Sequence, residues 1–271
     1  MPQTPFDESE RRIWAGTAEA YAAGFGGLCA HPVPRLLDAA KVGAGIRLLD
    51  VGTGTGAAAK AAGARGARVT AVDAEPGMAA GVARTLPDAA ALIAALPQLP
   101  FRDGAFGASV GNFVLNHVGR PLAALGELRR VTRPGGRIAL TIWAAPGAPG
   151  QALLGRALQA AGVTRPPHLP ALAAEDDFPR TADGFAGLLR AAGLTDVRCL
   201  PLRWDHHATA EEWWRGPAAG VATIGRIVTA QRPEVIERIR GHFVELSREF
   251  TGTDGRLVLP HAALLASGRV R

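Results

Sequence analysis

Short apolar runs alternate with segments of helical period through the first 145 residues. Ile46 to Val51, Arg68 to Val72, Ala89 to Ala94, Phe106 to Val114 and Arg137 to Trp143 read as strands. Between them, Ala57 to Ala64, a stretch opening near Pro76, and Pro121 to Val131 read as helices; Pro76 suits a first helical turn. Alternation of this kind predicts parallel βαβ units with right-handed crossovers and a ligand site at the carboxyl ends of the strands. Upstream, Ser9 to Ala23 predicts a helix carrying Ile13, Trp14 and Tyr21, broken by Gly24, Gly26 and Gly27. A second helix is expected over Pro32 to Ala40.

After Trp143 the pattern loosens. Pro146 to Pro149 and Pro166 to Pro170 read as turns, with His168 in a loop, and the segment reads as an insertion. Thr181 to Ala192 predicts a helix and Val197 to Trp204 a strand. Helices over Ala210 to Ile227 and Pro233 to Phe250 precede a β-like stretch from Arg256 to Leu259 and a tail to Arg271.

Composition narrows the class only modestly. A hydrophobic content of 48% with 20% charged residues fits a globular enzyme. The net charge of +6 is spread thinly, Lys41 and Lys60 are the only lysines, and no basic run is interleaved with aromatics, so a nucleic-acid partner is not expected. Cys29 and Cys199 lie far apart without metal or redox spacing, and no metal is expected. The polar start from Met1 to Arg12 and the absence of an apolar run of about 18 residues predict a cytoplasmic chain, monomeric or homodimeric, without a membrane partner.

The densest chemical signal is Asp50-Val51-Gly52-Thr53-Gly54-Thr55-Gly56, between a strand and a helix. Its glycines let the backbone approach a ligand and offer helix N-terminal amides. Gly52, Gly54 and Ala57 also satisfy the relaxed dinucleotide fingerprint G-x-G-x-x-A, with Asp73 at ribose distance, so a nicotinamide enzyme is an alternative at this point. Asp50 shifts the balance. A carboxylate at the end of the strand attracts an ammonium group and repels a pyrophosphate.

Leu48 to Gly56 resembles the first motif of class I S-adenosylmethionine-dependent methyltransferases, and further segments match in order. These are Val72-Asp73 with Pro76-Gly77-Met78, Leu99-Pro100-Phe101 with Asp103-Gly104 and Phe106, and Glu127 to Val131 with Arg133-Pro134-Gly135-Gly136. The resemblance covers about residues 20 to 145 and is nearest the small-molecule branch that includes the ubiquinone and menaquinone biosynthesis methyltransferases. It implies an α/β, Rossmann-like doubly wound, mostly parallel seven-stranded sheet with an N-terminal helical lid (1–42), a cofactor-binding core (43–145) and a substrate-side half (146–271) with a helical insertion.

By this resemblance the cofactor is S-adenosyl-L-methionine, with S-adenosyl-L-homocysteine as product. Asp50, Gly52, Thr53 and Gly54 would surround its methionine part, Asp73 and Ala74 its ribose, and Met78 its adenine and ribose. The acidic residue often found four before Leu-Pro-Phe is Ala95 here, which leaves adenine to the backbone of Ala95 and Leu96. Gly107 and Thr53 also depart from the family's usual Asp and Cys. Asn112 and Phe113 would contact the cofactor, and Tyr21 would close over it.

Methyl transfer from a sulfonium is an in-line displacement, so positioning and exclusion of water are the minimum requirement, and a base is needed only where the acceptor loses a proton. His117 is the candidate base, with packing or helix capping as its alternative role. Trp14, Trp143 and His206 are candidates for the acceptor pocket; of the adjacent His206 and His207, at most one faces it. Trp213 and Trp214 suit packing, or an aromatic wall. The expected function is methylation of a small-molecule acceptor, a metabolite. Gly111-Asn112-Phe113-Val114 lacks the Asn/Asp-Pro-Pro-aromatic motif of base-methylating enzymes, leaving nucleic-acid methylation and a non-methylating binding protein of the same fold as the other readings.

Overall fold

Hydrophobic alternation with a period of two explains the sheet. In the computed structural model, which describes residues 4–164, 166 and 169–271, Leu48 and Leu49 are both fully buried yet belong to different apolar clusters. Successive side chains point to opposite faces, so both faces of the sheet are covered.

Strands β1 (Arg47–Val51), β2 (Arg68–Asp73), β3 (Ala90–Ile93), β4 (Phe106–Asn112) and β5 (Thr132–Trp143) are parallel. With β6 (Thr195–Ala208) and β7 (Leu257–Arg269) they form a seven-stranded sheet in the order β3-β2-β1-β4-β5-β7-β6, in which β7 is antiparallel to both neighbours. This is the α/β Rossmann-like sheet the sequence implied. The strand order reverses between β1 and β4, which opens a crevice at their carboxyl ends.

Preceding these are α1 (Pro5–Trp14), α2 (Ala18–Ala23), α3 (Phe25–Ala30) and α4 (Val33–Ala39); α5 (Ala57–Ala64), α6 (Pro76–Thr85) and α7 (Pro121–Val131) cross between strands. The second half adds α8 (Pro149–Ala160), α9 (Ala182–Ala191), α10 (Ala210–Ala218), α11 (Ala222–Thr229) and α12 (Pro233–Ser247). Leu36, Leu37, Ala58, Ala62 and Val82 of α4, α5 and α6 cover one face of the sheet; Leu125, Leu128, Phe185 and Leu189 of α7 and α9 cover the other. A third cluster joins Ile13 and Leu28 to Leu153, Trp213, Trp214, Ile227 and Phe243 from the later helices.

Several boundaries differ from the sequence reading. Pro146 to Pro149 does not continue as a loop: Pro149 is the first residue of α8, where its missing N–H costs nothing. Gly24 divides α2 from α3, but Gly26 and Gly27 lie within α3, where a Cβ at Gly26 would come within 3.1 Å of the Tyr21 carbonyl oxygen. The helix expected over 210–227 breaks at Gly220, whose φ is +74°. The tail beyond Leu259 is the buried strand β7. Pro201, tolerable on an edge strand, sits within a longer β6 than expected. His168 lies outside the described residues. Among the described residues, no helix is long and apolar enough to cross a membrane.

Candidate active site

The glycine loop requires its glycines for two reasons. Gly52, Gly54 and Gly56 have φ of +65°, +56° and +84°, a region unfavourable to any side chain. A Cβ on Gly52 would also lie 2.7 Å from Val114 Cβ, and one on Gly54 would touch the Tyr21 ring at 3.4 Å. Tyr21 therefore sits directly against the loop. Beside it, the Gly54 N–H donates to Asp73 Oδ2 (2.8 Å) and the Glu75 N–H to Asp73 Oδ1 (2.9 Å). These bonds fix the carboxylate at the end of β2 while each oxygen keeps accepting capacity.

Asp50 is more secluded than the sequence suggests. Only 1% exposed, it accepts a 2.7 Å hydrogen bond from the Thr53 hydroxyl on Oδ2, while Oδ1 is sealed from solvent without a partner. Burial pushes its pKa up to about 6 against the opposing pulls of the Thr53 hydroxyl and the Ala59 backbone N–H. A cavity of about 20 Å³ adjoins it, lined also by Tyr21, Gly52, Thr53 and Asn112; about 10–15 Å³ accommodates one water.

Tyr21, Cys29, Gly52 and Asn112 also line a much larger cavity of about 950 Å³ over the crevice between β1 and β4. That volume is near the top of the range for small-molecule sites, about 300–1,000 Å³, and leaves room for a donor and an acceptor together. Gly54, Asp73, Ala74, Met78, Ala95 and Leu96 form one end of its wall, and Phe113, His117, Trp14 and Trp143 contribute elsewhere. The structure thus gathers residues scattered over 130 positions. Three expected site residues do not line this cavity: Asp50 and Thr53, which face the small one, and His206.

Asn112 is committed to the protein itself. Its Nδ2 donates to the Cys29 carbonyl (2.7 Å) and its Oδ1 accepts from the Thr141 hydroxyl (2.7 Å), tying α3 to the sheet. Phe113 follows at φ +63°, a strained conformation for a large residue. It is held by hydrogen bonds from its N–H to Thr141 and by stacking on Trp143, ring centroids 4.0 Å apart. This turn ends β4 before Val114 and presents a short 3₁₀ turn, Val114–His117, to the cavity.

His117 has a partner that sequence reasoning missed. Its Nδ1 lies 2.7 Å from Glu10 Oε2, which also receives the Trp14 indole N–H at 3.2 Å. Glu10 is buried although it belongs to a charged helix. The signal was present: Glu10 and Trp14 are four apart and share a helix face. No hydrogen bond among the described residues engages His117 Nε2, and the residue lines the cavity. A carboxylate on one nitrogen with the other free is the arrangement of a general base. The Asp7 carboxylate accepts the Gly119 N–H (2.7 Å), and Glu75 accepts the Gly16 N–H (3.2 Å), so the N-terminal helices bind both sides of the site.

His206 points inward and His207 outward, as β6 alternation requires. His206 lies behind the cavity wall, tilted against Trp213 (5.3 Å) and edge-on to His31 (5.8 Å), with Nδ1 sealed and unpartnered. Burial and neighbouring imidazoles lower its pKa to about 4. It is replaced at the wall by His261 and Trp213, and α8 adds Gln151, Leu154 and Gly155. Trp213 thus takes the wall position the sequence allowed it, whereas His261, Gln151, Leu154 and Gly155 carry no local signal, lying in what reads as a tail and an irregular insertion. Among the described residues, no group of acidic, histidine and cysteine side chains could hold a metal.

Residues 49–140 match the family model described as a methyltransferase domain. That stretch, about a third of the chain, is similar to a methyltransferase domain. A demethylmenaquinone methyltransferase from Beutenbergia cavernae is 40% identical over 124 residues, 45% of this chain and 52% of that one. The chain thus spans about half the length of the relatives it matches. Among solved structures, the YcgJ protein from Bacillus subtilis superposes with a TM-score of 0.57 at 19% identity, covering 89% of this chain and 98% of that one. Phosphoethanolamine N-methyltransferase 2 of Haemonchus contortus, solved with phosphomonomethylethanolamine and S-adenosylhomocysteine, gives 0.53 at 15% identity, with 89% and 53% covered. Both share the fold of this chain.

Proposed function

We propose that the protein transfers a methyl group from S-adenosylmethionine to a small-molecule acceptor. The observation that carries this reading is the pairing of a sealed, unpartnered carboxylate oxygen on Asp50 with a large cavity bounded by the Gly52–Gly54 loop and Asp73. Asp50, Asp73 and Glu75 give this end of the site a surplus of acid, which suits a cofactor carrying an ammonium and a sulfonium and opposes a pyrophosphate. The family match and the S-adenosylhomocysteine bound to the Haemonchus enzyme support the same cofactor.

When bound, the cofactor supplies an electrophilic methyl group. The chain's own contributions follow from its contacts. Asp50 meets the ammonium, directly or through one water in the small cavity; Asp73, its two oxygens aimed by Gly54 and Glu75, meets the ribose hydroxyls. Tyr21, Gly52 and Gly54 pack the methionine part; Ala74, Met78, Ala95 and Leu96 enclose the adenosine. α1 to α3 close the site against water, which favours in-line displacement. Where the acceptor gives up a proton, His117 Nε2 takes it, and Glu10 accepts the Nδ1–H of the resulting imidazolium.

Incubation with methyl-labelled S-adenosylmethionine and a panel of hydroxylated, amino and carbon-nucleophile acceptors tests the reading. Label is expected in an extracted small molecule. Retention of all label on the cofactor across the panel would point instead to a non-methylating member of the fold, and calorimetry showing NAD but not S-adenosylmethionine bound would remove the cofactor assignment.

A further inference from the structure

β7 brings one more histidine to the cavity, with its protonation state fixed by the backbone. His261 is only 2% exposed, and its Nδ1 lies 2.8 Å from the Leu259 carbonyl oxygen. A carbonyl only accepts, so Nδ1 carries the proton and Nε2 of the neutral ring is a bare lone pair. No hydrogen bond among the described residues engages Nε2. The nearby polar atoms sealed without a partner are His206 Nδ1, Trp204 Nε1 and Trp213 Nε1; His261 Nε2 is not one of them, and its residue lines the large cavity. With Nδ1 turned to the Leu259 carbonyl, Nε2 is the ring nitrogen left for a ligand in that cavity, in an aromatic setting. Trp213 lies edge-on at 5.5 Å and Trp143 tilted at 6.0 Å, the latter stacked on Phe113.

We propose that His261 Nε2 is the hydrogen-bond acceptor that selects and orients the methyl acceptor, a flat apolar molecule with an O–H or N–H at a position other than the atom methylated. This rests on the small-molecule methyltransferase reading. An acceptor atom in an apolar wall discriminates strongly, because a ligand lacking the donor leaves it desolvated and unpaired. Burial and His31 outweigh the Leu259 carbonyl and Asp205 and lower the pKa of His261 to about 4, so the ring is a poor place to leave a proton. His261 therefore orients, and proton removal stays with His117 and its Glu10 partner.

Two measurements test this. In the unaltered protein at pH 7, nitrogen-15 shifts of His261 are expected to show Nδ1 protonated and Nε2 bare; a protonated Nε2, in either the other tautomer or the imidazolium, overturns the proposal without any variant. In the second, 1-naphthol and naphthalene, alike in shape, are titrated into protein saturated with S-adenosylhomocysteine. The unaltered protein is expected to prefer 1-naphthol by about fivefold, the effect of one neutral hydrogen bond, and His261→Phe to abolish the preference while leaving S-adenosylhomocysteine affinity within twofold. A preference that survives in His261→Phe, or is absent from the unaltered protein, overturns the assignment. Should S-adenosylhomocysteine itself fail to bind, the cofactor reading falls, whereas the naphthol comparison run without it still reads His261.

Discussion

Replacing Asp50 by Asn is expected to leave stability at neutral pH nearly unchanged, to alter its dependence on pH, and to weaken cofactor binding. In the folded chain the carboxyl is buried, and its pKa stands at about 6 against a reference of 3.8. Because the folded pKa is raised, the folded state holds its proton over pH 3.8 to 6 while the unfolded chain has released it, so stability falls as pH rises through that window. The difference of about 2 pKa units amounts to about 3 kcal/mol of penalty at neutral pH. Asn keeps an oxygen to accept the Thr53 hydroxyl but places an NH₂ where Oδ1 had no partner, at a cost of about 1–3 kcal/mol. The two nearly cancel at pH 7, so absolute stability is a poor readout. Their pH dependence is a good one, because the amide does not titrate. Between pH 4 and 7 the stability of Asp50→Asn relative to the unaltered protein is expected to rise by roughly 2 kcal/mol. The comparison must be a difference, since His206 and His261, with pKa values lowered to about 4, make the folded state gain stability as pH rises toward 6.5 and mask the Asp50 contribution in either protein alone. Urea unfolding at several pH values measures it. Calorimetry on the same variant is expected to show S-adenosylmethionine binding about 10–100-fold weaker, the loss of one charge-assisted contact. A stability gap independent of pH would refute the buried, proton-holding carboxyl; unchanged affinity would remove Asp50 as the ammonium's partner.

The site's other parts make separate demands. His117→Ala and Glu10→Gln are each expected to lower turnover on an acceptor that loses a proton, by about 10²-fold or more, without greatly weakening S-adenosylhomocysteine binding measured by calorimetry; unchanged turnover would return His117 to a packing role. Gly52→Ala is expected to cost about 2 kcal/mol or more in chemical denaturation, from its positive φ and the overlap with Val114, and Val114→Ala is expected to recover part of it. Full recovery would mean that φ contributes nothing. Trp143→Ala, removing the ring stacked on Phe113, is expected to lower stability by about 3–5 kcal/mol and to loosen binding of planar probes while sparing the cofactor, readable by paired thermal and binding titrations.

The stretch that matches the family model was legible because its pattern is written in contiguous runs. Leu48 to Gly56 is strand, loop and helix start in one run, and the backbone geometry that its glycines permit is a local property. Five parallel strands, the helices at 57–64 and 121–131, and Asp73 at the end of β2 followed from period and spacing alone. The acceptor half resisted for an equally physical reason. Proline at the head of α8 and in β6 and β7 looks like a break in one dimension, yet a helix N-terminus and the positions these prolines occupy in the sheet need no N–H from them. Whether His206 or His261 reaches the cavity depended on which long strand lies centrally and which at the edge, a matter of strand order that no local pattern encodes. Glu10 became a partner of His117 only because α1 folds back over the β4 turn across 107 positions. Contiguous pattern singled out the glycine loop and Asp73, where the donor is proposed to sit; the groups that stand opposite them came from folding, since burial, tautomer and charge pairing arise from neighbours distant in the chain.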